Sequence, residues 1–244
     1  MIRFQSLSRL APLLTVPVLS FLLFTACGKR APIAADQNNP RYFDVTSSET
    51  VELPDEELSP ALLDLLQGPQ DPPPGKGVLD EVEESVDQLV RIGKKIYKIV
   101  DDGKPAYNAT YNRADVLPKG TLEWQQLTGW KTPVSKRYAW RLKNFYGVEV
   151  VTLTYRVLFT PGGTLDAKGN YLQNVTILPE NVYVAWGFNM NVKVSMPSIT
   201  NAGSLERPLA AAELLIDASV TTIMNTLQMT QSYYVRGDGM FKVL

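Results

Sequence analysis

From Val182 to Met196 the chain alternates without a miss. Val182, Val184, Trp186, Phe188, Met190, Val192, Val194 and Met196 stand against Tyr183, Ala185, Gly187, Asn189, Asn191, Lys193 and Ser195. Alternation with period two places one set on a single face of a pleated strand. An apolar face this long has to be covered, so the chain must build a sheet with something packed on it. At ~3.3 Å per residue the segment would run close to 50 Å. Strands are usually much shorter, and Gly187 marks the expected bend.

Other segments repeat the pattern. Val151, Leu153, Tyr155, Val157 and Phe159 alternate with Thr152, Thr154 and Arg156; residues 161–170 (PGGTLDAKGN) predict a long turn, Tyr171 to Leu178 a strand, and Pro179-Glu180-Asn181 another turn. Residues 197–208 are polar and predict a loop. Residues 212–235 predict strand, although AAAELLIDA carries helical propensity, and RGDG predicts a tight turn into MFKVL.

One segment has a different period. In residues 77–103, Val82, Val86, Leu89, Ile92, Ile96 and Val100 recur at three- and four-residue steps, with acidic residues first, Lys94, Lys95 and Lys98 last, and Gly103 as a stop. This predicts a long amphipathic helix over 78–100 whose charge order suits the helix dipole. The expected fold class is therefore α+β: a long curved antiparallel sheet of four to six strands with this N-terminal helix packed on it, all within a single domain spanning 77–244.

Residues 104–146 read as irregular and aromatic, with cations interleaved. Trp130, Lys136, Arg137, Trp140 and Arg141 are the candidate binding residues here, because rings can stack on a glycan or lipid while cations meet its acidic groups. The alternative is that the rings fill the core and the cations are solvated.

Residues 27–76 differ in composition. Residues 28–76 hold Pro32, Pro40, Pro54, Pro60, Pro69 and Pro72–Pro74, with nine acidic residues against four basic ones. An acidic, proline-rich stretch buries too little apolar surface to order itself, so a disordered tether is expected. Within it LSPALLDLLQG predicts a short helix near 60–67, capped by Ser59 and closed by Gly68.

The N-terminus fixes an address. Arg3 and Arg9 precede an uncharged apolar run from Leu10 to Phe24, interrupted by Pro12 and Pro17. This is the anatomy of an export signal over residues 1–26 rather than of a membrane span. Phe24-Thr25-Ala26-Cys27 resembles the lipobox of bacterial lipoproteins, with Phe24 where Leu is usual. The resemblance implies cleavage between Ala26 and Cys27 and acylation of Cys27. It further implies an envelope protein anchored by lipid, in the outer membrane by the identity of Gly28, facing the periplasm or the cell surface. Cys27 is the chain's one cysteine, so an internal disulfide is excluded.

Composition narrows the activity. Lys and Arg total 24 against 25 Asp and Glu, with no basic surplus for nucleic acid. Histidine is absent, which removes the commonest general base and transition-metal ligand. No cofactor or metal is expected: zinc spacing, phosphate loop and serine elbow are missing, and DAKGN lacks the alternating oxygens of a calcium loop. Arg236-Gly237-Asp238 matches an adhesion tripeptide but is explained as a turn. Asn108 and Asn174 stand in glycosylation sequons without expected consequence. The leading expectation is a non-enzymatic envelope lipoprotein that binds or scaffolds a protein, glycan or lipid at the membrane surface. Two alternatives are a carrier of hydrophobic ligand in a groove between helix and sheet, and a carboxylate-based hydrolase.

Overall fold

The computed structural model describes residues 38–57, 81–100, 107–121 and 123–244; for residues 81–84, 92–100 and 107–112 it describes the backbone. The export signal, Cys27 and the short helix near 60–67 lie outside the described residues. The strands are β1 (Val45–Leu53), β2 (Glu81–Val86), β3 (Leu89–Val100), β4 (Tyr107–Pro118), β5 (Val134–Asn144), β6 (Glu149–Leu165), β7 (Lys168–Val184), β8 (Asn189–Asn201), β9 (Ala210–Thr221), β10 (Thr226–Arg236) and β11 (Phe241–Val243). Short 3-10 helices at Pro40–Phe43 and Trp124–Gln126 are the helical elements among the described residues.

The α+β expectation is thus overturned: the described chain is nearly all β, in two antiparallel layers. One layer has the order β1-β5-β6-β7 and the other β8-β9-β10-β11. β4 joins them. Its C-terminal half pairs with β7 (Ala114↔Val175, Val116↔Leu172), and its N-terminal half runs parallel to β8 (Tyr107↔Met190 to Thr110↔Lys193). β3 occupies the other edge of β4, and β2 pairs with β3.

The segment expected to be a helix is the β2–β3 hairpin, turning at Asp87 with φ 52°. Val82 lies opposite Ile92, and Glu84 opposite Arg91. The stripe fits a helix and not a single strand face, since along β3 Leu89 falls on the face opposite Ile92, Ile96 and Val100. What decides is the density of β-branched Val and Ile, which suits a pleated surface, together with the two-residue break Asp87-Gln88.

Further boundaries move. Residues 104–146, read as irregular, contain β4 and β5. The long turn at 161–170 shrinks to Asp166-Ala167, both at positive φ, as a two-residue hairpin turn requires. Pro179-Glu180-Asn181 stays inside β7, and β8 runs through 197–201. The expected strand over 212–235 is two strands, β9 and β10, joined by a turn at 222–225. The long alternating run breaks at 185–188, where the chain leaves one layer for the other. Gly187 there has φ 79°, and a side chain would overlap the Phe43 ring.

The tether expectation fails over residues 38–57, because β1 is the edge strand of the first layer. Its acidic residues are held by the basic strand β5: Glu52 pairs with Lys136 at 3.1 Å and Glu49 with Lys143 at 3.7 Å.

The core lies between the layers. Leu153, Val157 and Phe159 of β6 and Leu214 and Ile216 of β9 are buried in it. Tyr138 of β5 and Tyr155 of β6 meet Tyr233 of β10, with the Tyr155 and Tyr233 hydroxyls 2.8 Å apart.

Candidate functional site

The alternation that makes β5 a strand also divides the candidate binding residues between two faces. Trp140 is 1% exposed, and its Nε1 donates to the Ser48 hydroxyl at 2.9 Å. Trp130 packs over Gly163, where a side chain would overlap the indole, and its Nε1 is buried without a hydrogen-bond partner. Lys136 is committed to Glu52. Arg137 and Arg141 alternate with Lys136 and Trp140 along the strand. The five residues therefore form no common exposed surface, and the rings serve packing.

Arg137 instead belongs to a cluster absent from the sequence-based expectations. It stands directly opposite Arg156 in the β5–β6 register. Like charges in this position repel. Glu180 resolves the conflict: Oε1 accepts from Arg156 Nε at 2.6 Å, and Oε2 accepts from Arg137 Nε at 2.8 Å. A bulge makes this possible. Thr154 pairs with Asn181 but Tyr155 pairs with Pro179, leaving Glu180 as the extra residue. The segment following β1 completes the cluster. Asp55 accepts from Arg156 at 2.8 Å and from Ser135 at 3.0 Å, while Glu56 pairs with Arg137 at 2.9 Å. Arg156 is 2% exposed, so its charge is compensated almost wholly by protein groups. The arrangement holds an edge strand in place; both guanidinium groups already have carboxylate partners.

The tyrosine group is likewise interior. Burial pushes the Tyr155 hydroxyl up to about 12, with the hydrogen bond from Tyr233 opposing and the nearby Tyr138 adding. Burial, then the Glu52 charge, pushes Tyr138 up to about 12 as well. These groups remain neutral near pH 7 and are poor proton acceptors.

Comparison with protein-family models, with curated proteins and with solved structures gives no match for the chain. Among the described residues, no group of three or more His, Cys, Asp or Glu is placed to hold a metal ion, and no helix is long and apolar enough to cross a membrane.

A concavity lined by polar side chains lies across β8, β9 and β10, with a volume of about 430 Å³. Two cross-strand rows line it: Asn191–Ser219–Gln228, and Lys193–Asp217–Thr230. Val192, Ala218 and Met229 lie between them, the first two buried. The Thr230 hydroxyl donates to Asp217 at 2.7 Å, fixing one row. The cleft thus combines amides, hydroxyls and one charge of each sign on a backbone held by two antiparallel ladders. Such a surface offers hydrogen bonds to a polar partner without a strong preference for charge. No sequence motif marks it, because the rows form only when three strands come into register.

Arg236-Gly237-Asp238 is a turn. Arg236 Nε donates to Asp238 Oδ1 at 3.0 Å, and the same carboxylate accepts from the Met240 amide at 3.1 Å. The Arg236 hydrogen bond is the main cause holding the Asp238 carboxyl below its ordinary value.

Proposed function

We propose that this chain is a lipid-anchored protein of the bacterial cell envelope that acts by binding rather than by catalysis. In this reading Cys27 is acylated and the folded domain presents the β8–β10 cleft to a partner at the membrane surface. The observation that carries the binding role is the polar cleft itself, with paired rows of donors and acceptors on a rigid three-strand floor. Rigid placement matters because a preorganised surface loses little conformational entropy on binding. The carrier alternative rested on a groove beneath a helix, and the segment in question is a hairpin; it is not retained.

The test has two arms. Cys27→Ser is expected to leave an uncleaved, mislocalised precursor, and unchanged processing and membrane partitioning would sink the anchor. A photo-crosslinking residue at Gln228 is expected to give a discrete adduct in cells, lost when Ser219→Trp fills the cleft. An adduct pattern indifferent to Ser219→Trp would sink the binding site.

A further inference from the structure

Large apolar side chains are exposed together at one end of the molecule. That end is where β5 turns into β6, β7 crosses to β8 and β9 turns into β10, as the pairings Val45↔Asn144, Val151↔Val184 and Asn189↔Thr221 require. Its three loops carry Phe145, Trp186, and the pair Ile223 and Met224. Trp186 is 61% exposed and Ile223 75% exposed. Tyr183 is also exposed, and burial, with the nearby Tyr183 adding, raises the Tyr42 hydroxyl's pKa.

The 3-10 helix Pro40–Phe43 is built into the same end. Asn144 Nδ2 donates to the Tyr42 carbonyl at 3.2 Å, and the Phe145 amide donates to the Asp44 carbonyl at 2.7 Å. The Phe43 ring is 6.1 Å from Trp186, and the Arg41 guanidinium lies 4.7 Å over Phe145. The chain therefore enters the fold at the end where these side chains are exposed.

We propose that this end of the domain rests on the lipid surface, with Trp186, Phe145, Tyr183, Ile223 and Met224 in the headgroup region and Arg41 beside them to meet lipid phosphates. The inference rests on the lipid-anchored reading above and adds an orientation to it. Residues 28–39 separate Cys27 from Pro40, and even a fully extended chain of that length spans at most ~45 Å. Strand β6 leads from this end to the opposite one through 17 residues, roughly 50 Å at ~3.3 Å each. With Cys27 at the bilayer, standing on the opposite end would require residues 28–39 to run almost fully extended along the whole domain, whereas standing on this end requires no extension. Indole and phenol rings with a polar edge are the side chains that favour the bilayer–water interface, and exposed apolar groups gathered in one patch call for an occupant.

The experiment uses the full acylated protein, purified and reconstituted into vesicles of phosphatidylcholine and phosphatidylglycerol, with and without bromine on the acyl chains. Trp186 emission is isolated as the difference between the natural chain and Trp186→Phe. Emission from Trp124 is isolated in the same way with Trp124→Phe. Trp124 serves as the distal reference: it precedes Thr128, which pairs with Thr164 near the far turn. The expected result is flotation with the vesicles, a blue shift of Trp186 emission and its loss in brominated vesicles, with Trp124 unaffected. Flotation with Trp186 unquenched, or with Trp124 quenched instead, overturns the orientation and leaves the anchor standing. Failure to float overturns the anchor and the orientation with it.

Discussion

Glu180 illustrates how one residue can decide whether two strands are compatible. Arg137 and Arg156 face each other across β5 and β6, and only the bulged position of Glu180 lets one carboxylate serve both. Removing it leaves two cations, one of them 2% exposed, with too little compensation. Glu180→Ala is therefore expected to lower unfolding free energy by about 3 kcal/mol, the range for breaking a buried pair from one side. Chemical denaturation of Arg156→Met/Glu180→Leu should recover much of that loss, and a double variant as unstable as Glu180→Ala would contradict the account. The tyrosines give a pH prediction. Their hydroxyls bind protons more tightly folded than unfolded, so the contribution is fully present below pH 10 and is lost as pH rises from 10 towards 12. Stability should be flat up to about pH 10 and then fall as tyrosinate absorbance rises. Tyr155→Phe should cost about 1 kcal/mol near neutrality, for one net hydrogen bond, and should reduce the alkaline fall.

At the scale of elements, the sequence made strands legible wherever one face is buried and the other is not. β8 alternates because the core lies on one side of it, whereas β6 is buried on both faces and keeps its polar alternation through Thr154 and Arg156, the latter paired with carboxylates. The β2–β3 hairpin was illegible for a physical reason. Val82, Val86, Leu89, Ile92, Ile96 and Val100 fit a helical stripe, and acidic residues before basic ones fit a helix dipole. Folded back at Asp87, that same charge order becomes a cross-strand arrangement, with Glu84 opposite Arg91. Periodicity points to the helix; the density of Val and Ile and the two-residue turn decide for the hairpin. AAAELLIDA became β9 because neighbouring strands on both sides outweigh local propensity. Gly187 was legible as a bend, but the chain there changes layers. Gly187→Ala is expected to cost at least ~1–2 kcal/mol for the left-handed backbone alone, with further loss from displacing Phe43. Its melting temperature should drop by several degrees, and Trp186 emission should report the disturbed crossing; an unchanged melting temperature would contradict the assignment of this turn.

Over the whole molecule, the charge asymmetry between residues 28–76 and the rest has a structural meaning that composition hid. Acidic residues of and just after β1 are matched to cations on β5 and β6: Glu52 to Lys136, Glu49 to Lys143, Glu56 to Arg137 and Asp55 to Arg156. A run of acid and proline reads as a tether only when its partner surface is out of view. The cleft stayed invisible for a related reason, since Asn191, Ser219 and Gln228 become one row only through register. If β1 is integral, a chain beginning at residue 77 must fail where one beginning at residue 38 succeeds. The shorter chain leaves the edge of β5 unpaired, deprives Trp140 Nε1 of the Ser48 hydroxyl and strips two carboxylates from the arginine cluster. Unpaired edges associate with one another, so aggregation or a broad unfolding transition is expected. A synthetic peptide covering residues 38–57, added in trans, should restore a cooperative transition by strand addition. Raised salt should weaken that rescue, because part of the attraction is between exposed charges. A cooperative, monomeric 77–244 chain with the stability of the 38–244 chain would show instead that β1 is dispensable and that the acidic segment is held by the domain without supporting it.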